Sequence, residues 1–337
     1  MIENYVESDN YKGKMAELER GNECDMLDHG AIAIESEDFD KGIDWYFKAL
    51  KAGCPEAHLR LGLIERHHEN DGYRELHYLF DAQKFGLENV EKFKSEEHLS
   101  ESDQIKLLCA INGLIGGIFE WGTVAIEEDS FKAQEKFHQA GYMGVALLPT
   151  ILNKVAESIQ KNEAFRIGRY IFYTIYSLDS FGNLVFEHGL MDHAKNGYEL
   201  LVGFINAVKA IRYIDSDLRL TIDENEANSY WMLGRIAQEL SDNESAEKNF
   251  LKAYRMGNTR AAGNLGFLFK FQGDLDNAIS WFLKVVDSDT TGNMQFMLGS
   301  TYLARGDFDK AREWLTIGAN MGDSRAIALL RKTDWST

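Results

Sequence analysis

Residues 264–285 read NLGFLFKFQGDLDNAISWFLKV, and this stretch decides the fold. Two apolar runs of helical length flank Gly273-Asp274, a pair that stops one helix and starts the next. The glycine suits a left-handed C-terminal cap. The Asp274 carboxylate can accept the free amides of the returning helix. The phrase then repeats at a near-constant step. Its Leu-Gly pairs are Leu233-Gly234, Leu265-Gly266 and Leu298-Gly299, spaced 32 and 33 residues apart. Twelve residues after each glycine stands Ala246, Ala278 or Ala311, and sixteen after stands Phe250, Phe282 or Leu315. A period near 33 is the mark of stacked helical hairpins.

Outward from this centre, the pattern predicts helices over 227–239, 245–256, 260–271, 275–286, 293–304 and 308–320, with a lone capping helix at 324–332. Near the start, Gly30, Gly42, Tyr46 and Ala49 take the places of Gly299, Ala311, Leu315 and Gly318. Gly62 follows Gly30 by 32 residues in a second unit that runs from Pro55 through Asn70-Asp71-Gly72 to Gly86, and Gly117, Ala133, Phe137, Ala140 and Gly141 mark a looser third with a longer turn. The charged stretch 88–103 reads as a connector or an additional helix. Between 145 and 223 the period fades. Helices are expected over 147–160, 164–178 and 198–214, with breaks at Asp179-Ser180 and Asp215-Ser216-Asp217. The organisation read from the sequence is therefore repeats over 1–144, irregular enlarged hairpins over 145–223, and repeats with a cap over 224–337.

These units resemble tetratricopeptide repeats and their Sel-one-like relatives. The tetratricopeptide pattern is carried by Asn264-Leu265-Gly266, Ala278 and Phe282, and by Leu233-Gly234, Ala246, Phe250 and Ala253. The Sel-one-like ending is seen in Trp45-Tyr46-Phe47-Lys48-Ala49 and, more loosely, in Trp281-Phe282-Leu283-Lys284-Val285. The proline that closes a tetratricopeptide unit is missing at Asn258, Thr290 and Asp323. The resemblance covers roughly six units. It implies an all-α, right-handed superhelical solenoid of stacked helix-turn-helix repeats, and a protein that works by holding partners.

The bulk composition narrows the function. Hydrophobic residues make up 45% of the 337, and only 2 are proline, which suits continuous burial between helices. A net charge of −18 disfavours nucleic acid and anionic lipid as partners. Cys24, Cys54 and Cys109 share no metal-like spacing and read as reduced thiols of a cytoplasmic protein. Residues 107–119 are apolar but read as too short and glycine-broken to cross a membrane. His67 and His68 are adjacent, and His188 and His193 are five apart, so neither pair shares a helix face as a zinc pair would. The glycines from Gly113 to Gly117 lack the Lys-Ser or Lys-Thr of a phosphate loop. No catalytic constellation, metal site or cofactor is expected.

The resemblance implies that the first helix of each unit lines a concave groove. Counting from the repeat glycines, the groove should present Asn228, Trp231, Arg235, Arg260, Asn264, Phe267, Lys270, Phe271, Asn293 and Phe296. This polar, cationic and aromatic set suits an acidic, partly apolar peptide or protein segment. The expectation is a non-enzymatic interaction scaffold. Two alternatives stand beside it: a regulator switched by a signal peptide and acting through a second protein, and an enzyme with a site in the irregular middle. Seven aromatics there, Phe165, Tyr170, Phe172, Tyr173, Tyr176, Phe181 and Phe186, are expected to be mostly buried. Oligomeric state is left open.

Overall fold

The computed structural model describes residues 25–66, 72–96, 98–126, 129–154, 164–211, 214, 216–333 and 335. Among them, all regular structure is helical. The helices are α1 Asp25–Glu35, α2 Phe39–Lys51, α3 Glu56–Ile64, α4 Gly72–Ser95, α5 Glu101–Ala125, α6 Ser130–Lys154, α7 Ala164–Glu187, α8 Met191–Val208, α9 Ser216–Glu239, α10 Asn243–Arg255, α11 Arg260–Phe271, α12 Leu275–Leu283, α13 Asn293–Arg305, α14 Phe308–Asn320 and α15 Ser324–Lys332. This is an all-α solenoid of helix-turn-helix repeats. One compact unit holds the described residues up to His188 together with Gly203–Arg219; a second holds Gly189–Val202 and the chain from Leu220 onward.

The punctuation works as its chemistry requires. Gly273 has φ +81°, in the left-handed region open to glycine. Asp242, Asp274 and Asp307 then accept the amides of Ser245, Asn277 and Lys310 at 3.0, 3.2 and 3.3 Å. Each carboxylate satisfies a donor that the helix start leaves without a partner. Where paired helices cross, a Cβ on Gly234 would lie 2.5 Å from the Phe250 ring, and one on Gly266 2.6 Å from the Phe282 ring. Glycine there sets the interhelical distance. Phe250 and Phe282 are fully buried.

The third unit departs from the expected alignment. Its crossing glycine is Gly122, which faces Phe137 at 2.8 Å, whereas Gly117 lies against Leu79 and Ala82 of α4. The 25-residue α5 is longer than a standard first helix, so the crossing point moves five residues on. No extra helix is seen among the described residues of the 88–103 stretch, and the connector is shorter than expected. Residues 88–95 end α4 and 101–103 begin α5, with the Ser100 hydroxyl between them capping the Asp103 amide at 3.2 Å.

No break occurs at Asp179-Ser180, because α7 runs through both residues. Asp179 accepts from Asn183 at 3.0 Å within the helix, and buried Leu178 and Phe181 hold the turn in place. The third unit's returning helix likewise runs unbroken through 130–154, and the helix expected over 198–214 is Met191–Val208. Of the aromatic middle, Tyr170, Tyr173 and Phe181 are buried and Phe172 is exposed; the side chain of Phe165 lies outside the described residues.

The apolar stretch 107–119 belongs to α5, a longer apolar helix than expected. Its segment Ser102–Ala125 is by length and composition long and apolar enough to cross a membrane, and 78% of that window is buried inside the protein. It packs against α3, α4, α6 and α7. Gly113 lets the α3 start approach: a Cβ there would meet the Glu56 amide at 3.1 Å.

The first unit also breaks the rule that a solenoid repeat touches mainly its neighbours. Arg166 of α7 is fully buried, pairs with Asp28 of α1 at 2.7 Å, and donates to the Cys109 sulfur of α5 at 3.3 Å. Arg169 meets Glu56 of α3 at 2.9 Å, and Glu56 also accepts from Arg60 at 2.9 Å. Burial pushes the Asp28 carboxyl up to about 7, against the pull of Arg166 and Arg169. α7 thus ties together three earlier helices.

Candidate peptide-binding groove

In the second unit, α9, α11 and α13 are successive first helices, and their facing side chains enclose a cavity of about 670 Å³. Trp231, Arg260, Asn264, Phe267 and Asn293 line it. The spacing from the repeat glycine puts these residues on one stripe of each helix, since positions three and four apart share a face.

Trp231 is the centre of the arrangement. Its indole N–H donates to Asn264 Oδ1 at 2.9 Å, which fixes the ring across two repeats. The Arg260 guanidinium carbon lies 4.7 Å from the ring centroid, and that of Arg235 lies 5.2 Å away. Both contacts fall within cation–π range. The geometry holds two cations beside one aromatic surface. Asn264 keeps its amide N–H groups as donors.

The remaining expected residues are placed differently. Asn228 lines a smaller adjoining cavity of about 380 Å³, which it shares with Arg260. Lys270 donates to the Ser300 hydroxyl at 2.6 Å, and burial holds its ammonium below the ordinary lysine range. Phe296 sits under the Arg325 guanidinium at 4.5 Å. Phe271, at the end of α11, is 79% exposed. None of these last three lines the larger cavity.

Met294, Met297, Asp289 and Arg325 line the cavity but were not among the expected ten. Met294 falls five residues before Gly299, off the stripe counted from the glycine. Asp289 lies in the loop before α13. Burial pushes its carboxyl up, but hydrogen bonds from Thr291 and from the amides of Met294 and Asn293 outweigh this and hold it below the usual range. Arg325 belongs to the capping helix, where no repeat register applies. It joins the site by donating to Asn293 Oδ1 at 2.8 Å and pairing with Asp323 at 2.5 Å.

The lining offers guanidinium, amide, aromatic and thioether groups, and its single carboxylate is already engaged by hydrogen bonds. The hydroxyls of Thr259 and Ser288 complete the lining, and that of Ser288 donates to the Val285 carbonyl at 2.8 Å. Among the described residues, no three His, Cys, Asp or Glu side chains gather as metal ligands. His67 and His68 lie outside the described residues, as do Asn70 and Asp71 of the expected second-unit turn. His188 stacks on Phe131 with ring centroids 5.2 Å apart.

With this geometry in view, the repeats match a known family over two adjoining stretches, residues 232–293 and 293–316, both described as tetratricopeptide repeat. Residues 232–316 carry tetratricopeptide repeats. These repeats contain most of the cavity lining. No curated protein matches the chain. Among solved structures, the chain is similar to BtubC (BKLC) from P. vanneervenii, with 18% identity and a TM-score of 0.41 over 76% of this chain and 93% of that one. It is similar to YrrB, described as a TPR protein with an unusual peptide-binding site, with 18% identity and a TM-score of 0.38 over 61% of this chain and 99% of that one. A Sel1 repeat protein from Oxalobacter formigenes shows 17% identity and a TM-score of 0.36 over 99% of this chain and 94% of that one.

Proposed function

We propose that the chain is a non-enzymatic, cytoplasmic interaction scaffold whose tetratricopeptide array holds an acidic, partly apolar peptide. The observation carrying this reading is Trp231, clamped by Asn264 and flanked by Arg260 in the lining of a cavity of about 670 Å³, with Arg235 on the same ring just outside that lining. A carboxylate entering this site meets the guanidinium groups of Arg260 and Arg325, and an apolar side chain meets Phe267, Met294 and Met297. Backbone groups of an extended segment meet the amides of Asn264 and Asn293. The protein as a whole is strongly acidic, so the local cationic character selects a ligand of opposite sign rather than merely reflecting the bulk charge.

The test uses fluorescein-labelled heptapeptides with Asp or Glu alternating with Phe or Leu, titrated by anisotropy against the full chain. The paired substitution Arg235→Glu and Arg260→Glu should weaken binding by roughly 100-fold, because two cations beside Trp231 become repulsive carboxylates. Equal affinity for the paired variant would remove the groove from the account.

A further inference from the structure

Trp45 and Trp281 each stand fifteen residues after a repeat glycine, Gly30 and Gly266. In the α9–α10 hairpin the same place, fifteen after Gly234, is Asn249. In its own seam Trp281 packs edge-on against Tyr254 of α10, with ring centroids 5.1 Å apart, and carries Lys284 Nζ 3.5 Å above its ring. Trp45 carries Lys48 in the same way at 4.3 Å. The Trp-x-x-Lys pair recurs with a cation over the ring, but Trp45 stacks on His29 of its own hairpin at 4.4 Å, so it is Trp281 that fills a seam. At Asn249 the filler is absent. A cavity of about 460 Å³ lies there, between Lys195, Glu199 and Val202 of α8 and the α9–α10 hairpin.

The floor of this cavity is apolar and its rim is basic. Leu233, Ile236 and Leu240 of α9 form the floor, and Leu240 remains 47% exposed. Lys195, Lys248 and Lys252 stand around it, all exposed. None of the three lies within ion-pair distance of a carboxylate among the described residues. Lys252 instead sits 3.8 Å above the Tyr230 ring, in the place Lys284 holds over Trp281. The rim carboxylates are Glu199 and Asp242; Asp242 accepts the Ser245 amide and also feels the charge of Lys195. In a chain of net charge −18, three lysines against two carboxylates leave the lining of this hollow net positive. The stripe Leu233, Ile236 and Leu240 lies on the face of α9 opposite Trp231 and Arg235, by the 3.6-residue turn. The hollow is thus separate from the groove.

We infer that this seam is a docking site for an acidic segment of a partner protein, which inserts one aromatic side chain where Trp281 sits in the next seam. The aromatic ring fills the space above Leu233, Ile236 and Leu240, and flanking carboxylates meet Lys195, Lys248 and Lys252. The reading does not depend on the groove.

The experiment labels Ile and Leu methyl groups in the full chain and adds acetyl-Glu-Glu-Trp-Glu-Glu-amide, with its Trp-to-Ala counterpart as the control probe. The Ile236 and Leu240 methyl signals should move with the Trp peptide and stay put with the Ala peptide. Asn249→Trp, which supplies the filler in cis, should abolish these shifts while leaving the helical circular dichroism intact and raising Tm. Lys195→Glu with Lys248→Glu changes only exposed positions, and should weaken the response by roughly tenfold or more. It decides the matter alone if Asn249→Trp fails to fold. Arg235→Glu with Arg260→Glu should leave the Ile236 and Leu240 shifts in place, which separates this site from the groove. No shift in the unmodified chain, equal shifts with the Ala peptide, or an undiminished response in the lysine pair would overturn the inference.

Discussion

Single residues carry the repeat through steric exclusion. Gly266 and Gly263 lie one turn apart on α11, yet their environments differ. A Cβ on Gly266 would press to 2.6 Å from the Phe282 ring, while one on Gly263 would meet only Met294 Sδ at 3.5 Å, an ordinary contact. Gly266→Ala should therefore lower stability by about 1–3 kcal/mol, as overpacking of a filled seam does. Gly263→Ala should be neutral or stabilising by up to about 1 kcal/mol, from helix propensity alone. Thermal melts of the two variants check the contrast, and equal Tm changes would contradict the crossing role of Gly266. This level was well legible in the sequence. Helices α11, α14 and α15 begin and end where the Gly, Asp and Ser punctuation puts them, because a cap is encoded within a few residues of itself. Gly117 was misaligned for the converse reason: a glycine's role depends on the helix that crosses it, and the length of α5 is not written beside Gly117.

Whole elements depend on contacts that local reading does not reach. α7 holds α1, α3 and α5 together through Arg166 and Arg169, and the Arg166–Asp28 pair spans 138 residues of sequence. No period links those positions, so the network was not foreseen. The Asp179-Ser180 break failed in the same way: a polar pair with turn propensity lies inside a helix whose other face buries Tyr170, Ile171, Ile175 and Leu178. That packing overrides a local preference. Such burial makes α7 a permanent member of the core. Arg166→Ala should cost about 3–5 kcal/mol, since it leaves carboxylates without their buried partner. The paired change Arg166→Met with Asp28→Leu should recover much of this, because an apolar pair of similar volume carries no desolvation cost. Hydrogen exchange gives the readout. In Arg166→Ala, protection should fall together in α1, α3, α5 and α7, while α11 to α14 keep theirs. Loss confined to α7 would show that the network does not couple these helices.

Across the whole molecule, two compact units carry different designs. The first is cross-braced by buried charge. The second is a tetratricopeptide array in which aromatic seams and Gly-Asp turns repeat, and its groove collects cations in a chain of net charge −18. Five of the ten groove residues read from the sequence, Trp231, Arg260, Asn264, Phe267 and Asn293, meet around one cavity, because the 33-residue period carries the same face from one repeat to the next. Asp289 and Arg325 escaped notice because a loop and a capping helix lie outside that period. The most direct test of the central claim follows the Met294 and Met297 methyl groups, which line the cavity floor, in a methyl-labelled full chain during titration with an acidic, Phe-bearing peptide. The account predicts saturable shifts of both signals that weaken as salt is raised from 50 to 500 mM, a range over which the screening length shrinks from ~14 to ~4 Å. Saturable peptide binding that leaves both methyl signals unmoved would contradict it.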